Sequence, residues 1–88
     1  VADAVPDDGM VAKLVPFTYD PVADASYLDL SGSGGEGPYL RQVLVQNPPG
    51  AFDVVFDLDA DGRIAGIEVI GASAGLSAAL LSADEPSE

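Results

Sequence analysis

The chain has no cysteine and no histidine among its 88 residues. Disulfides, thiolate metal sites, a cysteine nucleophile and imidazole acid–base chemistry are therefore excluded. Basic side chains are scarce: Lys13, Arg41 and Arg63 stand against fifteen acidic residues, for a formal net charge of -12 and a pI near 4.1. A charge of that sign repels phosphate backbones and anionic headgroups, so the expected partners include neither nucleic acid nor membrane. A long apolar run is missing as well. Residues 64–81 come nearest, but Gly66, Gly71 and Gly75 interrupt them and no basic residue follows, so they read as a strand and a short helix rather than a membrane span. No basic segment leading into an apolar one is visible at the N-terminus, and a cytoplasmic, bacterial-type setting is expected.

What is present is apolar residues, 48% of the chain, gathered in strand-like clusters that a disordered acidic chain would not carry. A chain of this size makes one domain with little stability to spare, expected over 13–82 between tails at 1–12 and 83–88.

Residues 53–70 organise the rest. Asp57, Asp59, Asp61, Gly62 and Glu68 satisfy the EF-hand loop pattern, with carboxylates at positions 1, 3 and 5, glycine at 6 and glutamate at 12. The flanks do not fit it. Phe52-Asp53-Val54-Val55-Phe56 on one side and Ile64-Ala65-Gly66-Ile67-Glu68-Val69-Ile70 on the other are rich in β-branched and aromatic residues, where calcium loops need helices. They predict a hairpin in which Ala60-Asp61-Gly62 forms a type I turn with a left-handed Gly62, pairing Asp59 with Arg63. Counting on from that pair sets Leu58 against Ile64, Phe56 against Gly66 and Val54 against Glu68 on one face, with Asp57 against Ala65 and Val55 against Ile67 on the other. In that register Phe56 lies over Gly66, and Asp57 and Glu68 point to opposite faces, too far apart to share an ion. Asp57, Asp59 and Asp61 are left as a weak candidate cation site, which is one alternative function; no cofactor is expected.

In chain order, residues 13–19 read as a first strand that Pro16 confines to a sheet edge. Asp20-Pro21-Val22-Ala23-Asp24 turns the chain, with Asp20 and Asp24 accepting local backbone N–H groups. A second, antiparallel strand at 25–30 sets Ser26, Leu28 and Leu30 against Ala25, Tyr27 and Asp29. Residues 31–37 hold four glycines and two serines without phosphate-loop spacing. A third strand at 39–46 sets Arg41, Val43 and Val45 against Leu40, Gln42 and Leu44, and Asn47-Pro48-Pro49-Gly50 ends it. After the hairpin, Ser73 is the expected N-cap of a helix over 74–81 with Leu76, Ala79 and Leu80 in one stripe. The fold class is α+β, mainly β: an antiparallel sheet of about five strands, a meander of hairpins, with one short C-terminal helix.

In this register the fourth and fifth strands carry apolar residues on both faces, and one short helix covers only one of them. The second face, with Val55, Ile67 and Val69, is expected to meet a second copy of the chain or a basic partner protein. No catalytic residue is assigned and the chain reads as non-enzymatic, because exposed turn aspartates lack the burial that separates pKa values. Glu68, opposite Val54 on an otherwise apolar face, centres the other alternative, a small acid/base enzyme, set against a structural ion pair with Arg41 or Arg63. Tyr19 and Tyr27 read as core and rim aromatics.

Tyr19-Asp20-Pro21, Asp24-Ala25, Tyr27 and Leu28, then Asp57, Asp59, Gly62, Ile64, Gly66-Ile67-Glu68-Val69 and Ala72-Ser73, together resemble the signature of small bacterial proteins catalogued as domain of unknown function twenty-two eighty-three. The resemblance spans about 17–81. It implies a β-rich domain with a C-terminal helix and no established activity, and it singles out Tyr19, Asp20, Asp24, Gly62, Gly66 and Glu68 as structural-motif positions. Some members look like companions of toxin-like genes, which implies an antitoxin-like companion role. The expected function is a small self-associating protein-interaction module.

Overall fold

Short β-branched runs separated by glycine, proline and aspartate turns have one outlet, a sheet. The computed structural model describes residues 9–32, 41–46 and 50–82. Five strands, β1 (Phe17–Asp20), β2 (Ala25–Asp29), β3 (Arg41–Gln46), β4 (Asp53–Leu58) and β5 (Ile64–Ile70), form one antiparallel sheet in the order β1-β2-β5-β4-β3. This is the mainly β architecture expected from the sequence. β3, β4 and β5 make a meander, and the β1-β2 hairpin joins it through β2 and β5. β1 lies at an edge, as the preceding Pro16 requires, and the Pro16 carbonyl accepts from the Asp29 N–H at 2.9 Å. The glycine-rich loop, Asn47-Pro48-Pro49, the start of the expected third strand and most of both tails lie outside the described residues.

The β4–β5 turn forms as expected. The Asp59 N–H donates to the Arg63 carbonyl and the Gly62 N–H to the Asp59 carbonyl, each at 2.9 Å, and Gly62 has φ 82. Leu58 pairs with Ile64, but beyond that point the register departs from the expected one. Asp57 pairs with Gly66, Phe56 with Ile67, Val55 with Glu68 and Val54 with Val69. Ala65 is the additional residue of a β-bulge, and its carbonyl accepts from the Leu30 N–H at 2.9 Å. A bulge sets two residues against one, and the one-residue slip exchanges the faces of everything after it.

That slip sorts the sheet. Phe17, Leu28, Ile67, Phe56 and Val43 make one row across all five strands, and Tyr19, Ser26, Val69, Val54 and Val45 make a second on the same face. Every carboxylate of the strands, Asp20, Asp29, Asp53, Asp57 and Glu68, falls on the other face. The expectation of apolar side chains above and below the hairpin is therefore corrected: one face is apolar and the other acidic, with Val55, Leu44 and Ile70 as its larger apolar members.

The C-terminal segment is two single turns, α1 (Ala72–Gly75) and α2 (Ala78–Leu81), rather than one helix. Leu76 at φ -125, ψ 156 and Ser77 at φ -68, ψ 148 are extended and separate them. The break sits where Gly75 packs on Phe52, so closely that a Cβ on Gly75 would lie 2.8 Å from the ring. Turns this short have no stability of their own and are held by the sheet. Ser77, not Ser73, supplies a cap, accepting from the Leu80 N–H at 3.3 Å. Leu76 and Leu80 sit over Phe17, Leu28, Ile67 and Val69. The β3–β4 end of the apolar face is less well covered, with Val43 40% and Val45 45% exposed. No helix of the described residues is long and apolar enough to cross a membrane.

Candidate functional site

On the acidic face, Asp57 is 5% exposed and is held from two sides. The Tyr27 hydroxyl donates to its Oδ2 at 2.9 Å and Gln42 Nε2 to its Oδ1 at 2.7 Å. Gly66 makes this possible: a Cβ there would collide with the Tyr27 hydroxyl. The residue lying over Gly66 is therefore Tyr27 and not Phe56, because the bulge turns Phe56 to the apolar face. Asp29, also buried, accepts from the Ser31 N–H at 2.9 Å and the Ser31 hydroxyl at 2.6 Å.

A second cluster closes the sheet's end. Asp24, at φ 54, is the one non-glycine residue with positive φ among the described residues, a conformation aspartate tolerates better than most. Its carbonyl accepts from the N–H groups of Gly71 and Ala72, each at 2.9 Å. Its carboxylate accepts from the Ser73 N–H at 2.9 Å, the Ser73 hydroxyl at 2.7 Å and the Tyr19 hydroxyl at 2.7 Å. Asp24 thus ties the β1–β2 turn to the start of α1. Hydrogen bonds from Ser73 first, and from Tyr19 next, hold its carboxyl below the ordinary aspartate range. The same bond to Asp24 pushes the Tyr19 hydroxyl above its ordinary value. Asp20 fulfils the expected turn role, accepting from the Val22 N–H at 3.0 Å and the Ala23 N–H at 3.4 Å.

The other expected site residues fall as follows. Asp57, Asp59 and Asp61 do not converge: Asp57 is bound by Tyr27 and Gln42, Asp59 accepts from the N–H groups of Asp61 at 2.9 Å and Arg63 at 3.0 Å, and Asp61 pairs with Arg63 at 3.2 Å. No group of three or more potential metal ligands is found among the described residues. Asp57 and Glu68 lie on the same face as diagonal neighbours, roughly 7–8 Å apart, which corrects the expectation of opposite faces. Glu68 stands between Tyr27 and Val55, not opposite Val54. Neither expected arginine meets it: Arg41 lies on the opposite face, and Arg63 is the exposed partner of Asp61. Val55, Ile67 and Val69 do not share a face, and Val55 at 9% and Val69 at 8% exposure leave little for a partner.

Not anticipated were the Tyr27 and Gln42 bonds to Asp57, the Tyr19 and Ser73 bonds to Asp24, and the exposed β3 edge. The sequence signal for the last was there, since 41–46 is a strand of six residues with no acid in a chain holding fifteen. A protein-family model described as a protein of unknown function (DUF2283) matches residues 17–73, from the start of β1 to the Asp24 partner Ser73. No curated protein and no solved structure matches the chain.

Proposed function

The chain belongs to the DUF2283 family of unknown function, and from that premise we propose that it is a non-catalytic protein-interaction module that self-associates along β3. The observation that carries this is that all six residues of β3 are exposed and none is acidic. Two copies charged at -12 repel, so the surface that brings them together has to be free of carboxylates. β1, the other edge, is four residues long, ends in Asp20 and follows Pro16, the usual means of blunting an edge. β3 has none of these.

A two-fold axis normal to the sheet keeps apolar face with apolar face. Residues opposed across such a junction share a face, so the axis passes through one residue. Centred on Leu44, it sets Leu44 against its own counterpart, Val43 against Val45, and Gln42 against Gln46, and extends both apolar rows into the second copy. The carboxylates of the buried networks stay committed to Tyr27, Gln42 and Ser31, which leaves them as structural groups in this reading.

Sedimentation velocity on the whole chain tests it. A dimer is expected, tightening from low to high salt as repulsion is screened. Val43→Asp and Val45→Lys each give a monomer with an unchanged far-UV spectrum, and mixing the two variants restores a dimer, because 43 of one copy meets 45 of the other. A monomer at every salt, or no rescue on mixing, overturns the reading. The one-sided placement of five carboxylates favours a second reading, a basic protein on the acidic face; that complex would weaken with salt instead.

A further inference from the structure

The C-terminal segment is fastened to the rest of the fold near one end. Among the described residues, the Gly71 and Ala72 N–H groups donate to the Asp24 carbonyl, Ser73 donates its N–H and its hydroxyl to the Asp24 carboxylate, and Gly75 packs on the Phe52 ring. Past Gly75 these ties stop. The Leu76 N–H turns back to the Ala72 carbonyl at 2.8 Å, and the Leu80 and Leu81 N–H groups donate to the Ser77 carbonyl at 3.1 and 3.3 Å. Residues 76–81 thus make no hydrogen bond to the sheet among the described residues.

Packing has to hold α2 down, and it is incomplete. No residue of α2 is buried, and Leu80 is 49% exposed. An apolar groove of about 260 Å³ opens between Leu80 and the sheet, and a hollow of about the same volume opens between Leu81 and the β1–β2 hairpin, with Phe17 lining both. A side chain facing a void loses the contacts a neighbour would make, and a single helical turn has no stability of its own. Leu76 and Ser77, extended between the two turns, give the chain a pivot.

We propose that residues 77–82 are a strap that lifts from the apolar face as a unit about Leu76, while α1 stays latched by Asp24 and Phe52. Segments with few buried apolar contacts open at a free energy well below that of global unfolding. Lifting takes Leu80 and Leu81 away from Phe17, so the apolar face, already open at Val43 and Val45, opens at β1 as well. The strap thereby sets how much of that face a neighbour meets, whether or not β3 pairs with a second copy.

The test is native-state amide hydrogen exchange on the whole chain, followed residue by residue by NMR in increasing urea below the unfolding transition. Relative to their intrinsic rates, Leu80 and Leu81 are expected to exchange about 100-fold or more faster than Gly71, Ala72 and Leu30, whose N–H groups are held by Asp24 and Ala65. Their dependence on urea should be roughly a tenth to a fifth of the sheet's, the share of surface that a strap of this length and the floor beneath it expose. Tyr27→Phe acts on the opposite face of the sheet. It should lower the protection of Leu30 about 30-fold, the loss of one hydrogen bond to a charged group, and leave Leu80 and Leu81 within about twofold. Equal protection on both sides of Leu76, a urea dependence for Leu80 and Leu81 equal to the sheet's, or a joint fall in Tyr27→Phe overturns the proposal. So does a urea dependence of zero, which is a turn fraying in place without uncovering anything.

Discussion

Replacing Tyr27 by phenylalanine isolates one bond. The ring stays over Gly66, so the packed area is kept and only the O–H donor to Asp57 Oδ2, at 2.9 Å, is removed. Asp57 is 5% exposed, so water cannot readily replace the donor. A hydrogen bond to a charged group contributes about 1.5–3 kcal/mol. Gln42 still donates to Oδ1 at 2.7 Å, which keeps the loss short of that for an orphaned buried charge. Taking about 2 kcal/mol, and about 4–8 °C per kcal/mol for a domain of this size, Tyr27→Phe lowers Tm by roughly 8–16 °C. Thermal unfolding measures the shift in Tm and urea unfolding the free energy, both followed by far-UV circular dichroism. With Asp57→Leu it closes a double-mutant cycle, in which replacing both partners by apolar groups should cost about 1 kcal/mol less than the two single losses summed. A melting temperature within about 2 °C of the parent, or effects additive to within about 0.5 kcal/mol, would refute the buried network.

Gly66→Ala places a methyl group where the Tyr27 hydroxyl lies, and should cost about 2–4 kcal/mol in the same urea assay; a neutral substitution would show that Tyr27 does not cross Gly66. Stability should fall at both pH extremes. The lowered Asp24 carboxyl contributes in full above its unfolded value, about 3.9, and the contribution is lost as pH falls through the lower folded value. The raised Tyr19 hydroxyl contributes below its unfolded value, about 10, and the contribution is lost as pH rises through the higher folded value. Ser73→Ala should therefore flatten the acid limb of urea midpoints, and an unaltered limb would remove Ser73 as the main cause. Millimolar calcium should leave Tm within about 1 °C, because Asp57, Asp59 and Asp61 hold separate partners; a rise of several degrees, as ligand linkage demands of a real site, would revive the cation reading.

Features set by neighbours in the chain were legible from the residues. Pro16 placed β1 at an edge, Gly62 fixed the turn, and the alternation in 25–29 and 41–46 assigned the faces of β2 and β3 correctly. What escaped depends on neighbours in space. Ile64-Ala65-Gly66-Ile67 suits either register, and the choice is made by β2, where Leu30 takes the Ala65 carbonyl and Tyr27 occupies the space over Gly66. The spacing of Leu76, Ala79 and Leu80 is helical, and it is the approach of Phe52 to Gly75 that accompanies the break. Gln42 and Ser73 became visible as partners only when pairing placed them beside Asp57 and Asp24.

The bulge also underlies the proposed interaction surface, and magnitudes show why the bulged register is preferred to the regular one. Without it Glu68 would sit opposite Val54 on the apolar face, in the neighbourhood of Leu76 and Leu80, while Ile67 and Val69 would turn toward the carboxylates. Desolvating an unpaired carboxylate costs several kcal/mol. A bulge forfeits about one ladder hydrogen bond, net about 1 kcal/mol, and here the Leu30 N–H recovers the Ala65 carbonyl. Burying Glu68 would cost more than the bulge does, so the extra residue stays and all the strand carboxylates gather on one side. The other side is then apolar from β1 to β3 apart from Arg41, and the acid-free β3, whose one charged residue is Arg41, is the edge on which the proposed pairing with a second copy rests.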